Sequence, residues 1–131
     1  MTEMATPDRI PAWRRRRMPD LWAIASYWAE REVFRVDLTW PHCFGCRTSG
    51  PLEDDDDNPP SDRALWRASS SFLDRAHLVD RMYGGLDGPQ NLVPLCTRCH
   101  RLMPVHRLGD GPAAIKWVQD GGRLALRRSG T

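Results

Sequence analysis

The longest purely apolar run in the chain is Leu21 to Ala25, far short of the ~20 residues that a membrane-spanning helix takes. No secretory hydrophobic segment follows Met1, so export is not expected and a cytoplasmic protein is. No glycine-rich phosphate loop occurs. At 131 residues the chain also lacks room for a nucleotide-binding domain beside a substrate domain, which excludes large multidomain enzymes. Lysine is almost missing, Lys116 being the only one, so the basic side chains are nearly all arginine. The arginine fork suits phosphate oxygens, although a GC-rich genome would supply the same bias.

What charge there is lies unevenly. Residues 36–62 hold one basic and seven acidic groups, whereas residues 63–131 hold eleven basic and five acidic. Residues 1–19 read as a basic, flexible arm carrying Arg14, Arg15, Arg16 and Arg17 beside Trp13, suited to a phosphate backbone or simply a solvated tail. Residues 20–131 read as a single domain with its core at 40–106 and an acidic loop at 53–62. The tract Asp54–Asp57 lacks the alternating ligands and internal glycine of a calcium loop, so it reads as linker.

Four cysteines form two pairs, Cys43-Phe44-Gly45-Cys46 and Cys96-Thr97-Arg98-Cys99. Without an export signal, two such knuckles read as one tetrahedral thiolate zinc site, with redox chemistry or disulfides as the alternative. A site closed by four thiolates has no open position, so this zinc is structural. Gly45 is expected to provide backbone freedom in the first turn.

Elements follow from periodicity and punctuation. Asp20 is placed to cap a helix from Leu21 to about Arg31, with Leu21, Ile24, Ala25 and Trp28 on one buried stripe. Val33, Phe34, Val36 and Leu38 predict a short extended segment running into the first knuckle. Gly111-Pro112 predicts the cap and first residue of a terminal helix, stopped by Gly121-Gly122. His42 and His106 read as surface residues.

Leu73–Met103 carries the chemistry. A β-prone run ends in His77, Gly84-Gly85 follows, and Asn91-Leu92 opens a second apolar run into Leu95-Cys96 and Cys99-His100. The order of histidine, double glycine, Asn-Leu and Leu-Cys-x-x-Cys-His resembles the HNH endonuclease family, across about Cys43 to Met103. The resemblance implies an α+β fold: a small ββα-metal core with two zinc knuckles, between N- and C-terminal helices. It implies a metal-dependent nuclease that cleaves DNA to a 5′ phosphate and a 3′ hydroxyl. His77 would be the general base, Asn91 would tie the hairpin loop that orients it, and His100 would hold a catalytic divalent ion, magnesium or manganese. Arg75, Arg81, Arg98 and Arg101 flank the motif as candidate DNA contacts, with the Arg14–Arg17 arm. The resemblance further suggests a phage or mobile-element setting, where a homodimer or a packaging partner would be the associated protein.

The sequence departs from the family at one point. The residue before the base histidine is often a metal-binding aspartate or histidine, and here it is Ala76. Asp74, on the same strand face, ranks first as substitute, ahead of Asp80 and His106. A zinc-stabilised DNA-binding module without cleavage is therefore the alternative. A zinc-scaffolded interaction domain that docks through its tryptophans is a third reading.

Overall fold

The computed structural model describes residues 18–52 and 57–124; the Arg14–Arg17 arm and residues 53–56 of the acidic tract lie outside the described residues. The elements are α1 (Leu21–Ala29), α2 (Asp62–Ala68), β1 (Leu73–His77), β2 (Leu92–Cys96), α3 (Thr97–Leu102) and α4 (Gly111–Gln119). The fold is thus α+β, and the strands pair as one two-stranded antiparallel sheet among the described residues. None of the described helices is long and apolar enough to cross a membrane.

Helix α1 begins where Asp20 accepts a hydrogen bond from the Ala23 N–H at 2.8 Å, meeting one of the helix's orphan donors. Leu21, Ile24, Ala25 and Trp28 are buried along one stripe, and the helix packs on β2. Trp28 fixes that packing: its indole N–H donates to the Leu92 carbonyl at 2.7 Å. Helix α2 was not foreseen from the sequence, where Asp62 was assigned to the acidic loop. Asp62 instead opens the helix, because the Ser61 hydroxyl caps it by accepting from the Ala64 N–H, and Leu65 and Trp66 are buried.

The hairpin runs from Leu73 opposite Cys96 to His77 opposite Leu92. Every residue of β2 is buried, with both α1 and α3 packed against the strand. Pro94 contributes no N–H, but its carbonyl accepts from the Phe44 N–H at 2.9 Å and so docks the first knuckle onto the strand.

Three local expectations are corrected. The Val33–Leu38 segment is not a strand: Glu32 turns the chain at φ +55°, and side chains serve the carbonyls that follow. Gln119 donates to the Val33 carbonyl, the Arg47 guanidinium to that of Arg35, and the Trp66 indole to that of Leu38. Phe34 still joins the core, edge-on to Trp28. Helix α4 has Asp110, not Gly111, at its cap position, so Pro112 falls within the first turn; Gly121 at φ +110° ends it as expected. His42 and His106 are buried, not on the surface. His42 packs against Phe44 and Trp66, and its Nδ1 lies 2.9 Å from the Trp40 carbonyl. Burial holds its imidazole pKa below the ordinary value.

Candidate metal centre and histidine site

The two knuckles come from different parts of the fold and meet at one point. The first is a turn in which the Cys43 N–H donates to the Thr48 carbonyl, and Arg47, at φ +68°, donates from its N–H back to the Cys43 carbonyl. The second joins the end of β2 to the first turn of α3, where Cys96 Sγ accepts from the Cys99 N–H at 3.5 Å. All four sulfurs lie within 4.8 Å of one another, and Cys46 and Cys96 are 3.7 Å apart. Sulfurs ~2.3 Å from a central tetrahedral ion would lie ~3.8 Å apart, so the cluster fits a four-thiolate metal. All four cysteines are free rather than disulfide-bonded.

Electrostatics within the cluster point the same way. Hydrogen bonding from Cys43 is the main cause holding the Cys99 thiol down at about 5. Cys43 is pushed up in turn, by that contact with Cys99 and then by burial. Sulfurs that compete for protons in this way are relieved by a divalent cation that binds all of them as thiolates. Gly45 is needed for closeness, not for backbone freedom. Its φ is not positive, and a Cβ there would come within 3.1 Å of Gly122 Cα and 3.4 Å of Cys99 Sγ.

The histidines fall into two separate pairs. His77, at the end of β1, has its Nε2 2.9 Å from Asp87 Oδ1, and both side chains are largely shielded from solvent. An ionised Asp87 can only accept, so a His77 ring that carries a single proton holds it on Nε2 and leaves Nδ1 as the acceptor. Asp87 was missed from the sequence; it lies in a glycine-flanked turn, and only the folded loop carries it back to the strand end.

That loop is held by Asn91. Its Oδ1 accepts from the Val79 N–H at 2.9 Å, and its Nδ2 donates to the carbonyls of Val79 at 3.0 Å and Leu86 at 2.9 Å. The double glycine has a separate cause at each position. Gly84 sits at φ +93°, while a Cβ on Gly85 would fall 1.9 Å from the Val79 carbonyl oxygen.

His100 of α3 has its Nδ1 3.0 Å from Asp74 Oδ2 of β1, and the pair is open to solvent. Donors on adjacent corners of an octahedral ion at ~2.1 Å would be ~3.0 Å apart, so the two could share a hard divalent cation. No third His, Cys, Asp or Glu joins them among the described residues, so water and substrate oxygens would complete the shell. Ala76 is fully buried, and Asp74, two residues earlier on the same strand face, is the carboxylate beside His100. His77 is three residues beyond Asp74, so its side chain leaves the opposite strand face, ~10 Å further along. Asp80 and His106 are joined to each other through the Asp80 N–H and the His106 carbonyl.

The candidate phosphate contacts divide. Arg75 is partly buried and donates to the Pro19 carbonyl at 3.3 Å. Arg81 lies in the turn after β1 and is half-buried. Arg98 and Arg101 stand exposed on α3, where with Leu102 and Arg123 they line an open cavity of about 270 Å³. A larger cavity of about 420 Å³ opens between the first knuckle and the Gly121 turn, and neither His77 nor His100 lines it. No family model, curated protein sequence or solved structure matches the chain.

Proposed function

We propose that the chain is a metal-dependent endonuclease of the HNH type that hydrolyses DNA phosphodiester bonds, with its four-cysteine cluster holding a structural zinc. The observation that carries this reading is the Asp74–His100 contact, which sets a carboxylate and an imidazole at the spacing of two metal donors despite Ala76. The hairpin and α3 would be the ββα unit of that fold. A divalent ion bound there, magnesium or manganese, would offset charge on the scissile phosphate and its leaving oxygen. For His77 and the ion to act on one phosphate, the DNA backbone must cross the end of β1 and span the ~10 Å between Asp74 and His77; His77 then takes the proton of the attacking water at Nδ1, while Asp87 keeps the opposite nitrogen protonated. Asn91 holds the loop that presents Asp87, and Arg98 and Arg101 hold the phosphate backbone. With one such site, the chain nicks one strand, and a double-strand break requires a second copy or a packaging-type partner.

The test is nicking of supercoiled plasmid with magnesium or manganese, comparing wild type with His77→Ala at equal zinc content. Nicking that is lost in a zinc-loaded His77→Ala protein supports the reading. The second reading, a DNA-binding module without cleavage, is favoured by the buried Ala76, which puts no metal donor directly before His77. Salt-sensitive DNA binding without nicking by either ion would establish it in place of the first.

A further inference from the structure

Twenty-four residues beyond the last cysteine ligand, the chain returns to the metal centre. Helix α4 ends at Gln119, the chain turns at Gly121, and the next residue, Gly122 at φ +58°, lies directly against the cluster. A Cβ on Gly122 would meet Cys99 Sγ at 3.0 Å and Gly45 Cα at 3.1 Å, so two glycines allow two backbones and a sulfur to meet. The Arg123 N–H then donates to Cys99 Sγ at 3.5 Å. The Arg123 guanidinium lies beside Cys46. The turn is itself fixed: the Gly121 N–H donates to the Val118 carbonyl, and the Leu124 N–H to that of Gly121.

We propose that the Gly122–Arg123 turn is the outer wall of the four-cysteine metal centre, with Arg123 as the positioning residue that retains the ion. The argument rests on the metal-binding reading of the cysteines and not on nuclease activity. Four thiolates on a divalent cation leave a net charge of about −2 in a partly buried site, which low dielectric makes costly. A backbone N–H on one sulfur and a guanidinium on another offset that charge where it resides. Outer contacts of this kind govern how tightly and how long a metal is held.

The test uses the zinc-loaded full chain and follows transfer of zinc to a chromogenic chelator. Arg123→Gln keeps the backbone N–H and removes the charge; Gly122→Ala forces the two backbones apart; Lys116→Gln, on the exposed side of α4, serves as control. Zinc release ~10-fold faster or more from Arg123→Gln and Gly122→Ala, with the control at the wild-type rate, is expected. Cobalt-substituted protein gives a second readout, since the thiolate-to-cobalt absorption band should shift in Arg123→Gln, even if Gly122→Ala does not fold. Equal release rates and an unshifted band in an Arg123→Gln chain holding one metal would overturn the proposal. A wild-type chain that takes up no zinc would instead overturn the metal assignment on which it rests.

Discussion

Asp74 Oδ2 and His100 Nδ1, 26 residues apart in the chain, lie 3.0 Å from one another across the join between β1 and α3. Both are about half exposed, so their contact is a weak tie for the fold and an accessible pair of donors for an ion. Asp74→Asn should leave the thermal midpoint nearly unchanged. If the chain is the proposed nuclease, it should raise the manganese concentration needed for half-maximal nicking on the order of 10-fold or more, because it removes the anionic donor. His100→Ala should do the same, and a manganese titration of nicking by each variant checks both.

In the proposed nuclease Asp87 would act on His77 and not on substrate. His77→Ala is expected to lower nicking by ~10²–10⁴-fold, the usual range for a positioned base. Asp87→Ala should give an intermediate loss, because His77 remains but its tautomer is no longer fixed. Rates for the two variants and their double mutant show whether the effects are coupled: a double mutant no worse than His77→Ala is the expected result.

Asn91→Ala leaves one buried N–H and two carbonyls without their partner, so a loss of ~2–4 kcal/mol is expected in urea unfolding. Gly85→Ala should be comparably severe for a steric reason, given the 1.9 Å approach its Cβ would make to the Val79 oxygen. Normal urea midpoints for both variants would contradict the clamp.

Asp20 makes stability depend on pH. Burial alone would raise its pKa, but the Ala23 N–H and the Arg67 guanidinium together hold the carboxyl below its ordinary value. A depressed folded pKa stabilises the protein above the unfolded value of ~3.9, and the contribution is lost as pH falls through the folded one. Asp20→Ala should therefore cost ~1 kcal/mol near neutrality, mainly as a lost cap, since the Arg67 pair is exposed. Chemical denaturation of wild type and variant across pH 2–7 should show the difference shrinking below pH ~4.

Sequence reasoning succeeded where the physics is local. The Asp20 cap, the apolar stripe of α1, the two β-prone runs and the Gly121 stop each depend on a few neighbouring residues, and each is present. It failed where a distant group decides the outcome. Val33–Leu38 has strand-like composition, yet donors from Arg47, Trp66 and Gln119 meet its carbonyls and no strand forms. Helix α2 was hidden by its acidic neighbours, although Ser61 with Leu65 and Trp66 was a usable signal. Asp74 was singled out because the family resemblance calls for a metal donor at Ala76 and strand alternation puts Asp74 on the same face, whereas Asp87 was not, because its approach to His77 depends on the path of the Gly84–Gly88 loop.

The distance between the two cysteine pairs in sequence has a kinetic consequence. Cys46 and Cys96 are 50 residues apart, and closing such a loop costs ~3–4 kcal/mol in chain entropy before any packing offsets it. Each pair, by contrast, is local and can take up an ion while the rest of the chain is still unfolded. With zinc as the ion of the proposed centre, at one equivalent a pair that captured it would carry it to the other, and refolding would proceed. In excess zinc both pairs load separately, and one ion must leave before the pairs can join. Refolding should then slow as zinc rises above one equivalent, the reverse of what a simple stabilising ligand would produce.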